Sequence, residues 1–315
     1  MALFFLRTRT TPMIIRIGFE ITVSCPVPVP MLLALSVHSE FTGKIIGADQ
    51  VRNSDVQDLH EYVDLFGNRI TRATAPAGNS TFWSDCIVEV DGLPDEVLPA
   101  ARQLLLQQLP DETLTYLMAS RYCDSDLMGE FAWKQFGQTP TGWARVQAIC
   151  DFVHEHITFD YKFGRPDKTA SDVLSEKTGV CRDFAHLAIS LCRAMNIPAR
   201  YCSGYLGDIG VPDAGFDDFC AWFEVFLDGK WHTFDARYNV PRIGRIQMVR
   251  GHDASDVAMV TSFGAYELKE FRVWTHELAD EPSDSVLLES LREMPHPQQR
   301  GLGGQVLTSA YMTRA

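Results

Sequence analysis

A cysteine at the predicted start of a helix is the residue of this chain best suited to chemistry. Residues 178–195 predict an amphipathic helix, because apolar side chains recur there at intervals of three and four. Gly179 precedes this helix, and Asn196 with Pro198 ends it. Cys181 therefore lies in the first turn, where unpaired amides and the helix dipole favour a thiolate. The pattern predicts a nucleophile that ionises more readily than a free cysteine; the alternative is a small buried hydrophobe.

A β-hairpin is predicted over residues 219–237, because two strand-like runs flank an Asp-Gly pair typical of a two-residue turn. This turn sets a register in which Trp222 faces Asp235 and Cys220 faces Arg237. Side chains alternate between the two faces of a sheet. The residues predicted on one shared face are Cys220, Trp222, Glu224, Thr233 and Asp235.

Five short motifs of the chain resemble the core of the transglutaminase-like proteins, a branch of the papain-type cysteine enzymes. They are Gly-x-Cys at 179–181, Ile-Pro-Ala-Arg at 197–200, Gly-Tyr at 204–205, Ala-Trp-x-Glu at 221–224 and Trp-x-x-Phe-Asp at 231–235. The resemblance is to bacterial members that carry an N-terminal β-region, and it runs from about Met13 to Leu278. It implies an α+β fold: a papain/transglutaminase-like core, in which the helix bearing the cysteine packs on an antiparallel sheet, with an N-terminal antiparallel β domain.

In that family a cysteine, a histidine and an aspartate act together. The resemblance places the cysteine at Cys181 and the aspartate at Asp235, while Cys220 occupies the histidine's position. Without an imidazole there, no evident general base takes the thiol proton or protonates a leaving amine. His232 is predicted on the opposite face of the hairpin, and His186, five residues beyond Cys181, is predicted to face away from the sheet. Neither is a convincing replacement.

Three functions are consistent with these residues. The first is a hydrolase or acyl-transfer protein that acts through Cys181 on amide or (thio)ester bonds of a peptide or protein substrate, with no cofactor or metal. Lacking the histidine, it should find activated esters and thioesters easier substrates than amides. The second is a papain-like fold that has lost catalysis and serves as a binding module. In the third, Cys181 and Cys220 form a reversible disulfide or hold a soft metal together with Asp235.

Composition narrows the class of partner. The 315 residues carry a net charge of −13, which argues against duplex nucleic acid or an anionic membrane as the main partner. The eight cysteines include no Cys-x-x-Cys pair, so neither a zinc finger nor a dense disulfide framework is expected. Most of them should be reduced and buried, which predicts a cytoplasmic protein. The oligomeric state does not follow from the sequence.

The order of these patterns predicts the domain organisation. Residues 1–12 are predicted to be a disordered leader, since their apolar run is too short for a signal peptide or a membrane span. Residues 13–98 carry short strands separated by turn signals, which indicates the N-terminal β domain. A helical connection is predicted over 99–140 and the transglutaminase-like core over 141–278. The polar tail, 279–315, is predicted to be partly disordered.

Overall fold

The structure, a computed structural model, describes residues 12–55, 59–212 and 218–278 of the chain. The leader predicted over 1–12 lies outside these ranges except for Pro12, and the tail predicted over 279–315 lies wholly outside them. No helix within these ranges combines the length and the apolar character that crossing a bilayer requires.

In the ranges that the structure describes, the N-terminal part of the chain folds into seven β-strands. They are β1 (Met13–Cys25), β2 (Val29–Leu33), β3 (Ile45–Ile46), β4 (Arg52–Asn53), β5 (His60–Val63), β6 (Arg69–Ala75) and β7 (Gly78–Val90). Strand β1 is buried on both faces along almost its whole length. Because buried backbone groups must be hydrogen-bonded, both of its edges need a partner strand. Strand β7 supplies one of them, in an antiparallel register from Met13 opposite Val90 to Cys25 opposite Gly78.

Helices dominate the middle of the chain and lead into the cysteine helix. The elements are α1 (Asp111–Leu114), α2 (Gly129–Phe136), α3 (Trp143–His156), β8 (Thr158–Phe159), α4 (Ala170–Glu176), β9 (Thr178–Gly179) and α5 (Cys181–Ala194). Helix α5 confirms the helix predicted over 178–195 and begins at its cysteine. Residues 183–193 are all buried, because α5 packs on a sheet and is also contacted by α2, α3 and α4.

The C-terminal part supplies the sheet on which α5 packs. Its strands are β10 (Ala199–Tyr205), β11 (Phe219–Leu227), β12 (Lys230–Phe234), β13 (Ile246–Gly251), β14 (Val260–Ser262) and β15 (Glu267–Glu277). The antiparallel order β12-β11-β10-β13 forms the sheet against α5. The predicted α+β class, with a cysteine helix on an antiparallel sheet and an N-terminal antiparallel β region, is confirmed.

The hairpin β11–β12 has the predicted register. Leu227 pairs with Lys230 and Phe223 with Phe234. Asp228 and Gly229 both adopt positive φ, at 49° and 87°. A two-residue turn that matches the twist of its strands requires this backbone conformation. The pairing therefore follows from the Asp-Gly turn.

Strands β14 and β15 lie in a different place from the one predicted. The sequence grouped them with the core over 141–278, whereas β15 pairs with β1, from Ile15 opposite Glu277 to Ser24 opposite Glu267, and β14 pairs with β2. The physical reason is the second edge of β1, which β15 covers. The N-terminal sheets thus have the orders β15-β1-β7-β3, with β4 also on β7, and β14-β2-β6-β5.

The N-terminal strands and the sheet under α5 share one apolar core. Three phenylalanine rings form the junction: Phe219 of β11 lies 6.4 Å from Phe19 of β1 and 5.7 Å from Phe271 of β15, centroid to centroid. All three side chains are buried. Strand β11, which carries Cys220, is therefore held in place by the N-terminal sheet.

Candidate active site

The start of α5 is fixed by Gly179 and Asp183. Oδ2 of Asp183 accepts a hydrogen bond from the N–H of Val180 at 2.9 Å, and the N–H of Asp183 donates to the Val180 carbonyl at 2.8 Å. A Cβ at residue 179 would lie 2.7 Å from the Cβ of Asp183, so a larger residue there would push the first turn apart. Cys181 is consequently the first residue of the helix, where backbone amides have no acceptor within the helix.

Cys181 is the least buried cysteine residue of the chain. All eight cysteines lie in the described ranges, and Cys181 alone is half-buried, whereas the other seven are buried. Burial raises the pKa of the Cys181 thiol; the Arg237 guanidinium and a hydrogen bond from the Ala221 backbone N–H lower it in part. The expectation of a readily ionised thiol is therefore wrong. Packing against β11 removes water from the thiolate, and this loss outweighs the stabilisation that the helix start, Arg237 and the Ala221 N–H provide.

Cys220 lies on β11, directly before Ala221, opposite Gly204 of β10. Its Sγ is 3.9 Å from Nη1 of Arg237 and 3.9 Å from the hydroxyl oxygen of Tyr238. Burial raises the pKa of Cys220 to about 12; the Cys181 thiol contributes to the rise and Arg237 opposes it. At neutral pH Cys220 is therefore a protonated thiol, and it cannot act as the base that an imidazole provides.

Asp235 holds the backbone that follows β12. Its Oδ1 accepts hydrogen bonds from the N–H of Arg237 at 3.0 Å and from the N–H of Tyr238 at 3.1 Å. Its Oδ2 accepts one from Nη2 of Arg245 at 3.2 Å. In the family an aspartate acts beside a histidine, but here both oxygens of Asp235 are engaged by other donors. The carboxylate thus fixes the position of Arg237.

Arg237 is the cation that stands beside the two thiols. Its guanidinium carbon lies 3.8 Å from the ring centroid of Phe159 and 4.7 Å from that of Tyr238. Burial lowers its pKa, but the surrounding groups (Cys181, Cys220, Tyr238 and Tyr161) together raise it by more, so the group stays cationic. Sequence reasoning placed Arg237 opposite Cys220 without assigning it a role. The register of the hairpin was the signal that could have identified it.

In the part of the chain that the structure describes, neither histidine considered as a replacement base forms a hydrogen bond with Cys181. His232 lies on the predicted face: its ring packs edge-on against Trp143 at 5.7 Å, and its Nε2 is 3.1 Å from the Leu227 carbonyl. His186 differs from the prediction, because it packs against Tyr201 of the sheet, with ring centroids 5.2 Å apart. Burial lowers the pKa of both imidazoles.

The local environment of His186 also excludes a role in proton transfer. Its Nε2 accepts a hydrogen bond from the Ala254 backbone N–H at 3.2 Å, and its ring stacks on Tyr122 at 5.2 Å. A third imidazole, His154, lies near the site, but its Nδ1 is 2.8 Å from the backbone carbonyl of Arg237. This contact supports the loop that carries the arginine.

Among the described residues, no group of three or more histidine, cysteine, aspartate or glutamate side chains is arranged to hold a metal ion. The proposed thiol pair is also unbridged, since all cysteines are free. What the site brings together is the thiol of Cys181 at the start of α5, the protonated thiol of Cys220 and the guanidinium of Arg237. It can therefore support nucleophilic attack by Cys181 when the thiol is ionised.

Comparison with known proteins gives a consistent result. Residues 131–236 match the profile of the transglutaminase-like superfamily. An uncharacterised protein of Mycobacterium leprae is 27% identical over 208 residues, which are 63% of this chain and 74% of that protein. An uncharacterised protein of Mycobacterium tuberculosis is 33% identical over 97 residues, which are 29% of this chain and 31% of that protein.

A solved structure from Cytophaga hutchinsonii, described as a "Putative Cysteine Protease", is similar over most of its length. It superposes with a TM-score of 0.73 and 27% sequence identity, covering 87% of this chain and 93% of its own. A coverage of 87% is too large to leave out either the N-terminal strands or the sheet under α5 entirely, so the similarity extends into both regions.

Proposed function

Because the chain belongs to the transglutaminase-like superfamily, we propose that it is a cysteine-dependent hydrolase or acyl-transfer protein acting through Cys181. The single observation that carries this proposal is the position of Cys181, a half-buried residue that begins α5 and whose thiolate is stabilised by the nearby Arg237 guanidinium. Its substrate would be a peptide or protein with a reactive amide or (thio)ester bond. Eight unpaired cysteines support a reducing compartment, which we propose to be the cytoplasm.

The reaction begins when Cys181 loses its proton to solvent and the thiolate attacks the carbonyl carbon. A sulfur–carbon bond forms, the bond to the leaving oxygen, sulfur or nitrogen breaks, and a thioester on Cys181 results. Water or an amine then attacks this thioester and restores the thiol. The Arg237 guanidinium and the Ala221 N–H lower the free energy of the thiolate, and the first-turn amides of α5 can stabilise a developing oxyanion.

The residue in the histidine position determines which bonds are attacked. An amine leaves only when it is protonated, and a thiol with a pKa of about 12 is a poor acid for that step. Alcohols and thiols of activated esters and thioesters leave without this help. We therefore propose esters and thioesters as better substrates than amides.

A second candidate is a binding module without catalysis. The raised pKa of Cys181 and the engagement of both Asp235 oxygens by other donors favour it. The two candidates differ in whether an acyl group is ever carried by Cys181.

Acyl transfer is tested with p-nitrophenyl acetate and with a small aliphatic thioester. We expect an acetyl group on Cys181 in rapidly quenched samples, found by peptide mass spectrometry, together with turnover that Cys181→Ala abolishes. Cys192→Ala, at a buried cysteine of the same helix, is the matched control. If Cys181→Ala retains the wild-type rate and no acyl-enzyme is trapped, the binding module is the correct function.

A further inference from the structure

We infer that Arg237 binds an anionic group of the substrate, and that the substrate carries a carboxylate beside the bond that Cys181 attacks. The inference starts from the surroundings of the guanidinium. No carboxylate of the described residues lies within ion-pair distance of it, and the hydrogen bond found for it is the 3.9 Å contact with Cys220 Sγ. The claim that Cys181 attacks a neighbouring bond rests on the proposed function. The claim that Arg237 binds an anion does not.

The other two arginines of this loop are paired. Nη2 of Arg242 lies 3.1 Å from Oδ1 of Asp208, and Nη2 of Arg245 lies 3.0 Å from Oδ2 of Asp95. Arg237 is half-buried, and a guanidinium that has lost part of its hydration without gaining a counter-ion destabilises the folded protein. Arg242 and Arg245 have carboxylate partners, whereas the Arg237 guanidinium contacts thiols and aromatic rings. We therefore take the anionic partner of Arg237 to be a ligand.

The guanidinium is also held in a fixed orientation. The rings of Phe159 and Tyr238 contact it as cation–π partners, which partly replace its hydration. Its backbone is fixed from two sides, by Asp235 at its N–H and by His154 at its carbonyl. A preorganised guanidinium fork loses little entropy when it binds a carboxylate with two parallel hydrogen bonds.

The position of Arg237 determines where the anion must be. The same guanidinium acts electrostatically on Cys181 and contacts Cys220, so a carboxylate bound to it lies beside the attacked carbonyl. Two peptide groups supply this chemistry: an acidic side chain next to the bond and a free C-terminal carboxylate. Their shared feature is a carboxylate a few bonds from the reacting carbon.

The test compares two alkylating reagents of nearly equal size, iodoacetate and iodoacetamide, on Cys181. In both reactions a sulfur–carbon bond forms, the carbon–iodine bond breaks, iodide leaves with the electron pair, and the thiol proton goes to solvent. Because both reagents need the thiolate, the ratio of their rate constants does not depend on the pKa of Cys181. It reports how strongly the site favours the carboxylate.

We expect Arg237→Gln to lower the iodoacetate-to-iodoacetamide ratio at Cys181 by at least about fivefold. Arg237→Lys, which keeps the positive charge, should have a ratio close to that of the wild-type protein. Arg102→Gln, at an exposed arginine paired with Asp228, is the matched control and should leave the ratio unchanged. A thermal melt of each variant shows that it is folded. An unchanged ratio in folded Arg237→Gln overturns the inference.

Short blocked peptides distinguish the two sources of the carboxylate. One pair differs in an internal Glu or Gln, and the other in a free or amidated C-terminus. Each peptide is tested for slowing the alkylation of Cys181 by iodoacetamide. If only one charged peptide protects Cys181 from alkylation, and this protection is lost in Arg237→Gln, that peptide identifies the source of the carboxylate. If the charged and uncharged members of each pair protect equally, the inference is contradicted. The outcome is independent of turnover: a ratio that falls in a protein without esterase activity supports the anion site and rejects the proposed function.

Discussion

Asp235 and Asp95 share one guanidinium. Nη2 of Arg245 lies 3.2 Å from Oδ2 of Asp235 and 3.0 Å from Oδ2 of Asp95. Asp95 precedes the segment 131–236 that matches the superfamily, whereas Asp235 is almost at its end. The residue that positions Arg237 is therefore itself held by an ion pair to the N-terminal part of the chain.

Replacing Asp95 with Asn should weaken the fold. Arg245 is 7% exposed and would keep only Asp235 as its anionic partner, which leaves part of a buried charge uncompensated. We expect the free energy of unfolding to fall by about 2 kcal/mol, measured by urea denaturation. Glu96→Gln, which removes an exposed partner of Lys230, should have no measurable effect. Equal effects of the two changes would show that the Asp95 pair adds nothing.

Cys181 should be alkylated faster than any other cysteine of the folded protein. Cys181 is the one half-buried cysteine residue, and burial raises the pKa of its thiol, so the rate should climb with pH toward a midpoint above that of a free thiol. Arg237→Gln should move this midpoint higher, because the guanidinium stabilises the thiolate. Iodoacetamide labelling with peptide mapping measures both. If Cys192 or Cys202 reacts faster, the site is wrongly assigned.

Placing an imidazole at position 220 should improve catalysis. Cys220→His supplies a base near Cys181 and an acid for the leaving group, and general acid–base catalysis contributes at least about tenfold. We expect faster hydrolysis of small esters and amides and a lower pH midpoint for the alkylation of Cys181. Cys220→Ser, which adds no base, is the control for the loss of the thiol.

The opposite result for Cys220→His has a clear meaning. Should the wild-type protein already cleave amides well, and the substitution abolish that activity in a folded variant, another group is the base. The larger ring must also fit beside Trp222 and Tyr238, which pack against Cys220, so a melt accompanies the assay.

The buried imidazole of His186 should make the protein less stable in acid. Burial lowers its pKa below the 6.5 of a free histidine, so the unfolded chain binds a proton first as the pH falls. The contribution of His186 to the free energy of unfolding is fully present above about pH 6.5. As the pH falls from there toward the lower pKa of the folded state, this contribution decreases by up to about 1.4 kcal/mol per pH unit. His186→Gln should reduce the slope between pH 6.5 and 4 in urea titrations, whereas exposed His60→Gln should not. Equal slopes in wild type and His186→Gln would contradict the assignment.

The elements that could be predicted from sequence depend on neighbours along the chain. Helix α5 was predicted from apolar spacing and its flanking Gly179 and Asn196, and the β11–β12 register from a two-residue turn. The position of β15 could not be predicted, because its pairing with β1 depends on which edge is exposed after β7 has paired. Long-range strand pairing has no local pattern.

The electrostatics of the site were less predictable for the same reason. The helix start at Cys181 indicated a favoured thiolate, yet the hydration that the thiol loses depends on β11, which follows it by about 40 residues. The predicted proximity of Arg237 to Cys220 appears as a 3.9 Å contact between Nη1 and Sγ, although the strand pairing itself ends at Phe223 and Phe234. That Arg237 has no carboxylate partner in the described ranges could be learned only once the partners of Arg242 and Arg245 were known.

The pairing of β15 with β1 also constrains how the protein is made. Strand β1 leaves the ribosome first, and β7 can cover one of its edges early, but the other edge must wait for residues 267–277. Until then a long apolar strand keeps an open edge, a species that associates readily with other chains. The N-terminal sheet is therefore completed only after synthesis has passed the cysteine helix. Nascent chains that stop before β15 should depend on chaperones.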